Sequence, residues 1–197
     1  MCSIRRTFVS GPESGIRLAS CAADIVEIAA FHGRAPELES LAVGRGIRLP
    51  ALAGVAAATD QLALCVRPAR WLLLSPPASP GATAALWQGA CARVGAAADL
   101  SSGLAALHLS GPRVRELLSR GCRLDLDPQV FPAGRAAATI MVQVAVVLAV
   151  LASGLLLLTP SSTARHLREW LALTARPFGL VPGADVTVAA LSGDALR

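Results

Sequence analysis

The side chains of this chain that could do acid–base or metal chemistry are few and scattered. The three histidines, His32, His108 and His166, stand at no spacing from an acid or a thiol that would suggest a metal site or a catalytic triad. His108 alternates with leucines on a predicted strand and should face away from the core, and His166 should lie at the surface or an interface. The histidines therefore predict no catalytic constellation.

The five cysteines are widely spaced and include no C-x-x-C pair. This spacing fits neither a disulfide framework nor a zinc site, so we predict reduced thiols in a cytoplasm. Cys122 follows Gly121 at the end of a predicted helix, whereas thiols with a lowered pKa favour helix N-termini, so it should not be a nucleophile. The first residues lack the apolar stretch of a secretory signal.

Two further groups of polar residues suggest chemistry at first sight. Asp125 and Asp127 flank one leucine and could face one side together, as paired carboxylates that bind a metal or transfer protons would. A turn-stabilising Asp before Pro128 is the commoner use of this arrangement. The loop 101–103 lacks the G-x-x-x-x-G-K framework of a phosphate-binding loop. We therefore predict that the chain itself carries no catalytic, cofactor-binding or metal-binding residue.

The overall composition argues against nucleic acid as a partner. The net charge is +5 and all 18 basic residues are Arg, but they are spread along the chain, and aromatic residues make up only 4%. Nucleic-acid binders concentrate basic charge on one surface and use aromatic side chains for stacking. Apolar residues make up 54%. This surplus is typical of a permanently bound subunit, because obligate interfaces resemble a domain core.

Residues 136–160 contain no charged side chain and are long enough to span a membrane. The stretch lacks flanking Trp or Tyr, is rich in Val and Ile, and contains Gln143 and the turn-forming sequence at 152–154. We predict buried strands joined by a hairpin, with residues 140–151 in the core or an interface and no membrane association. A single membrane-spanning helix over 136–158 is the alternative.

Two pairs of segments resemble each other and indicate an internal duplication. Residues 70–95 and 154–179 each contain a Leu-rich strand, a Ser-Pro or Thr-Pro step and a helix with one tryptophan. Residues 31–50 and 109–128 each contain a strand end, a glycine and a short amphipathic helix. We therefore predict an α+β fold, a duplicated strand–helix–strand–strand–helix sandwich with helices against antiparallel sheets.

The tryptophans of the two repeats, Trp87 and Trp170, should lie in the core or an interface. The predicted organisation is a flexible N-terminal arm at 1–20, a first α+β half at 21–98, a second half at 99–180 and a C-terminal tail at 181–197.

The stretch 99–141 carries a spaced succession of short motifs, L-S-G-P, L-L-x-x-G-C, L-D-L-x-P and F-P-x-G. This succession resembles the gamma subunit of the heterotetrameric bacterial sarcosine oxidases, and residues 24–178 fit the pattern. The chain departs from it at 102–104, where Ser-Gly-Leu stands in place of a frequent His and Arg. The motif residues, which we expect to be structural, are Leu109, Ser110, Gly111, Pro112, Gly121, Cys122, Asp125, Phe131, Pro132 and Gly134.

The resemblance implies a fold related to the folate-binding domain of aminomethyltransferase, the T-protein of glycine cleavage. It also implies a non-catalytic gamma subunit in a cytoplasmic complex that demethylates sarcosine to glycine, beside alpha, beta and delta type subunits. FAD, FMN, NAD and tetrahydrofolate would sit on those partners. Two alternatives stay open: a small subunit of a related N-methylglutamate dehydrogenase, or a stand-alone folate-dependent aminomethyltransferase-like protein. The latter needs an acidic residue for the pterin, and Asp99 or Asp125 is the nearest candidate.

Overall fold

The structure is a computed structural model that describes residues 15–195 of the chain. Strands dominate, and most helices follow a strand and return the chain across one sheet. The strands are β1 (Ile16–Ala22), β2 (Asp24–Ala30), β3 (Gly54–Ala57), β4 (Leu62–Arg67), β5 (Arg70–Ser75), β6 (Gly95–Asp99), β7 (Leu104–Ser110), β8 (Ala136–Met141), β9 (Val144–Leu151), β10 (Gly154–Pro160), β11 (Leu180–Pro182) and β12 (Val186–Thr187). The helices are α1 (Ala35–Gly44), α2 (Ala82–Cys91), α3 (Val114–Ser119), α4 (Ser161–Ala175) and α5 (Val188–Ala195), with a 3₁₀ turn at Arg176–Phe178.

The strands form two sheets whose orders match, which confirms the predicted α+β class. The first sheet runs β3-β4-β5-β2-β6, and the second runs β8-β9-β10-β7-β1 and continues into β11, with β12 also paired to β1. Each half thus contributes a strand, a helix, a three-stranded meander and a second helix, one strand more than the sequence predicted. In addition, β1 precedes the first half in the chain but joins the second sheet, where it pairs with β7.

Three layers of core explain why several strands show no apolar–polar alternation. Along β10, Leu155 and Leu157 pack under the helices of the second half, whereas Leu156 and Leu158 pack between the two sheets. A third cluster lies between the first sheet and its helices α1 and α2. Because both faces of these strands are buried, each reads as a continuous hydrophobic run.

The uncharged stretch 136–160 folds as β8, β9 and β10, joined by two tight turns, so the predicted hairpin strands are confirmed. The second turn, Ala152-Ser153, lies where the sequence indicated one. Among the described residues, no helix is long and apolar enough to cross a membrane.

The first turn of this meander places two non-glycine residues at positive φ, Val142 at 49° and Gln143 at 65°. Glycine adopts this conformation without steric penalty, so we expect Gln143→Gly to raise the free energy of unfolding by about 1 kcal/mol. Gln143 is exposed, and its side chain therefore contributes little packing. Urea unfolding of the variant beside the parental chain measures this, and a variant of lower stability would contradict the assigned turn.

Both ends of the chain depart from the predicted organisation. β1 begins at Ile16 and pairs with β7, so the arm predicted at 1–20 is too long, and residues 1–14 lie outside the described residues. The segment predicted as a tail supplies β12 and α5, whose Val188 and Leu191 are buried between the sheets. In α5 the Ser192 hydroxyl also donates to the carbonyl oxygen of Thr59 at 3.1 Å.

Candidate functional site

The motif residues form one continuous structural unit around α3, which begins where β7 ends. Leu109 is fully buried near the end of that strand. Gly111 follows at φ 125°, and a Cβ there would lie 2.6 Å from the carbonyl oxygen of Gly15. Only glycine therefore permits this close approach of the chain to the start of β1. Pro112 then precedes the first turn of α3, a position that tolerates its missing N–H.

Arg115 on α3 fixes the loop that follows the helix. Its Nη1 donates to the carbonyl oxygen of Leu126 at 2.6 Å and to that of Phe131 at 2.9 Å. The side chains of Leu126 and Phe131 are both buried. Sequence inspection did not single out Arg115. The available signal was the position of this arginine between the L-S-G-P and L-L elements of the succession.

Asp125 of the motif and the neighbouring Asp127 stabilise turns in this loop. Asp125 Oδ1 accepts the backbone N–H of Asp127 at 2.9 Å, and Asp127 Oδ1 accepts that of Gln129 at 2.8 Å. Both side chains are exposed. Each carboxylate thus bonds to the backbone two residues ahead, the usual role of Asp in such turns. Within residues 15–195, no three His, Cys, Asp or Glu side chains are grouped so that they could hold a metal ion.

Gly121 is the point at which α3, α4 and the β8–β9 turn meet. A Cβ at Gly121 would lie 2.7 Å from ring atoms of Trp170 and 2.8 Å from a methyl group of Val142. The Val142 N–H also donates to the Gly121 carbonyl oxygen at 3.1 Å. The backbone of Cys122, the next residue, forms an isolated antiparallel β-bridge with that of Met141 on β8. Trp170 is half-buried at this junction and packs on the core of the second half.

The F-P-x-G motif leads into the segment that joins the two sheets. Gly134 donates its N–H to Val150 of β9, and its carbonyl oxygen accepts the N–H of Val55 of β3, both at 2.9 Å. Ala136 donates to the carbonyl oxygen of Ala53, also at 2.9 Å. The backbone after Pro132 is therefore hydrogen-bonded to both halves of the fold.

The histidines and Trp87 lie apart from this unit. His108 faces away from Leu107 and Leu109 as predicted, but that face is buried between the sheets, and only 6% of the side chain is exposed. The prediction missed this burial because one strand's alternation cannot show that a second sheet covers its other face. His32 and His166 are exposed. Trp87 projects from α2 into the core of the first half, with the Arg45 guanidinium 5.5 Å from its ring centre.

The loop at 101–103 connects elements rather than forming a cradle. The Ser101 hydroxyl accepts the N–H of Ile25 at 3.0 Å, and Asp99 Oδ1 accepts the N–H of Ser101 at 2.9 Å. A hydrogen bond from the Ser101 side chain and, to a smaller extent, the one from its backbone N–H hold the pKa of the Asp99 carboxyl below its usual range. The Ser161 hydroxyl donates to the carbonyl oxygen of Ser102 at 2.8 Å. Asp99 and Asp125 therefore lie in separate turns and do not converge on a common site.

A shallow cleft opens at the joint between the sheets, beside the F-P-x-G motif. Its volume is ≈ 240 Å³. Ligand sites for drug-sized molecules span about 300–1,000 Å³ and carry a few polar groups that orient the ligand. The residues present here do not fit a folate, because none of them is ionisable. They are Val55, Ala57, Ala133, Gly134, Val150, Leu151 and Ala152.

The described cysteines, Cys21, Cys65, Cys91 and Cys122, are free thiols. Burial raises the pKa of Cys21 from its ordinary value of 9.0 to about 11, with a smaller contribution from the negative charge of Asp185. Burial likewise raises the pKa of Cys65 and of Cys91. Since a thiol must ionise to attack, these three are poor nucleophiles near neutral pH.

The raised thiol pKa values predict an alkaline loss of stability. The unfolded chain releases the Cys21 proton near pH 9.0, whereas the folded chain holds it to about pH 11. Unfolding therefore releases a proton between these values, so stability that is full below pH 9 falls as pH rises. The chain has neither Lys nor Tyr, so the cysteines dominate titration in this window. Urea unfolding across it should show a shallower fall for Cys21→Ala than for the parental chain, and parallel curves would contradict the assignment.

The model of the sarcosine oxidase, gamma subunit family matches residues 34–174. No curated protein sequence matches the chain. A solved heterotetrameric sarcosine oxidase from Corynebacterium sp. U-96, in complex with pyrrole 2-carboxylate, contains a similar chain. It has TM-score 0.75 and 26% identity, over 89% of this chain and 91% of that one.

The fold also matches the glycine cleavage system aminomethyltransferase T from Bartonella henselae, with TM-score 0.64 and 13% identity. The match covers 93% of this chain and 51% of that one, so the present chain spans about half of its length. At this identity the likeness concerns the fold alone, and it confirms the predicted aminomethyltransferase-like architecture. The family model covers most of the chain, including every motif from L-S-G-P to F-P-x-G. The chain belongs to the sarcosine oxidase gamma subunit family.

Proposed function

We propose that the chain is the non-catalytic gamma subunit of a sarcosine oxidase complex and that its role is structural. The larger subunits, of alpha, beta and delta type, would carry FAD, FMN, NAD and tetrahydrofolate. The complex would oxidise sarcosine to glycine and pass the formaldehyde equivalent to tetrahydrofolate. Free thiols at the four described cysteines agree with a reducing cytoplasm as its compartment.

The observation that carries this proposal is that residues of the family motif segment make structural contacts. The segment 109–134 that carries the motif holds a loop, stabilises turns and joins two sheets, through the motif residues Asp125 and Gly134 and through Arg115 and Asp127 between motif positions. A catalytic motif would instead bring titratable groups together in a cleft with perturbed pKa values. The motif therefore supports a rigid body that other subunits bind rather than a reaction centre.

The stand-alone aminomethyltransferase reading finds no support in its candidate acids. Asp99 and Asp125 each accept a backbone N–H two residues ahead, and both are exposed. The N-methylglutamate alternative concerns only the amine that the partners oxidise, so substrate trials on the whole complex decide it.

Substitution of the two candidate acids tests the non-catalytic role. In Asp99→Asn and Asp125→Asn the amide oxygen can still accept the same backbone N–H, so the turns should persist while the negative charge is lost. We expect turnover per flavin of the assembled complex to stay within about twofold of the parental value, against the 10²–10⁴-fold that a general acid or base contributes. A loss beyond tenfold in a fully assembled complex would contradict the proposal.

A further inference from the structure

Within residues 15–195, the first sheet has an open edge at β6, whereas β11 and β12 cover the equivalent edge of the second sheet. The two sheets share one order, in which β6 beside β2 corresponds to β1 beside β7. The outer edge of β1 pairs with β11 and β12, and both run parallel to it. Among residues 15–195, the only strand that pairs with β6 is β2.

The hydrogen-bond register shows which backbone groups this edge presents. Phe31 donates its N–H to the carbonyl oxygen of Val94 at 2.9 Å, and Leu100 donates to that of Ile25 at 2.8 Å. In an antiparallel ladder the bonded positions alternate, so Ala96 and Ala98 also bond towards β2. The N–H and C=O groups of Gly95, Ala97 and Asp99 consequently point outward.

A side-chain contact independently supports the assignment of the outward-facing backbone groups of β6. The Gln88 amide of α2 donates to the carbonyl oxygen of Ala97 at 3.3 Å, which requires that oxygen to face away from β2. The Ala97 N–H lies on the same outward side of the strand, where a parallel neighbour's carbonyl oxygen could accept it.

Residues 95–98 of this edge lack three of the features by which natural sheets prevent unwanted pairing. Exposed edge strands are commonly protected by an inward charge, a proline or a bulge. Residues 95–98 read Gly-Ala-Ala-Ala, and their pairing with β2 shows no register shift. One large apolar side chain beside the strand is exposed, Phe31, which follows β2 and bonds to Val94, at 49%. An edge strand of this kind presents backbone groups to which another chain can add a strand.

We propose that an extended segment of a partner subunit adds to the first sheet along β6, running parallel to it. This inference rests on the proposed function, because it needs a complex. Exposed Arg93 precedes the strand and exposed Asp99 ends it, so the segment should carry an acid near its start and a base near its end. A second copy of this chain would pair β6 with β6 antiparallel about a two-fold axis, whereas β11 and β12 show that this fold accepts parallel strands at the equivalent edge.

Ala97→Pro tests the proposal because proline removes one outward N–H and no bond to β2. We expect it to weaken assembly with the partner subunits about tenfold or more, as the loss of a buried hydrogen bond and a steric clash require. Its urea midpoint should match that of the parental chain. Ala97→Ser keeps the N–H and the side-chain size, and it should assemble normally. Parental affinity in Ala97→Pro would overturn the proposal.

Amide hydrogen exchange on the parental chain, free and in the complex, keeps the proposal testable if Ala97→Pro does not fold. Assembly should slow exchange at Ala97 and Asp99, while Ala96 and Ala98 stay protected in both states. Equal exchange rates at Ala97 in both states would overturn the proposal. Slower exchange at Ala97 that appears when the isolated chain is concentrated, without partner subunits, would also overturn it, because a second copy of the chain would then cover the edge. A parental chain that binds no flavin-bearing subunit would overturn the proposed function itself.

Discussion

Replacing Gly154 with alanine is expected to lower the free energy of unfolding by about 4 kcal/mol, because two separate steric conflicts arise at one position. Gly154 begins β10 at φ 144°, a conformation that residues with a Cβ rarely adopt. An added Cβ would also collide with the carbonyl oxygen of Leu109 and lie 3.0 Å from His108 Nε2. The Leu109 oxygen belongs to the central strand β7, so the collision cannot be relieved by a side-chain rotation.

Gly89→Ala is the matched control for this prediction. Gly89 lies on the exposed side of α2, and a Cβ there would meet no atom within 4 Å. Alanine in a helix interior should therefore stabilise the chain by about 0.5–1 kcal/mol. Urea unfolding of both variants gives the two changes, and a Gly154→Ala chain within about 1 kcal/mol of the parental stability would contradict the packing of the hairpin against β7.

Arg115→Met should have the second largest effect, a loss of about 3 kcal/mol. Methionine can replace the aliphatic part of the side chain but donates no hydrogen bond, so the carbonyl oxygens of Leu126 and Phe131 would lose their shared donor. Phe131 is buried in the core of the second half, and Gly134 shortly after it joins β9 to β3. We therefore expect faster amide exchange across the loop 124–134 as well as lower stability.

Arg165→Met provides the comparison for charge alone. The side chain of Arg165 is 92% exposed and its nitrogen lies 3.7 Å from Glu169, so loss of this ion pair should leave the urea midpoint unchanged. If Arg115→Met and Arg165→Met unfold at the same urea concentration, Arg115 does not hold the loop.

Much of the second half could be predicted because its local signals agree with its tertiary structure. The turn at 152–154 carries small residues and a glycine, and the flanking segments are rich in Val and Leu, so β9 and β10 follow from sequence alone. The choice between strands and a membrane helix also depended on these signals. Residues 155–158 are all leucine, however, and their sequence could not show that alternate side chains enter two different cores.

The turn at Val142 and Gln143 gave no such signal. A β-branched residue is rarely found at positive φ, and hairpin turns of this kind favour Asn and Gly. The structure supplies a tertiary reason, since Val142 bonds to the Gly121 carbonyl oxygen and packs against the junction with Trp170. Local propensity is overridden here by contacts from residues distant in the sequence.

The role of Arg115 and the burial of α5 could not be predicted from sequence because both also depend on contacts between residues distant in the chain. Arg115 donates to carbonyl oxygens 11 and 16 residues later, a contact that no periodicity encodes. Helix α5 fills space between two sheets that only the complete fold defines. The family motif, in contrast, was visible as a succession of spaced residues, although its sequence did not reveal which hydrogen bonds those residues make.

The most direct test of the central claim is affinity purification of the tagged full-length chain from its native cells, with an absorbance spectrum of the eluate. A gamma subunit of a sarcosine oxidase should bring down larger subunits in fixed proportion, and the eluate should show a flavin spectrum. If the chain elutes alone and colourless, or only with detergent from the membrane fraction, it is not a subunit of such a complex.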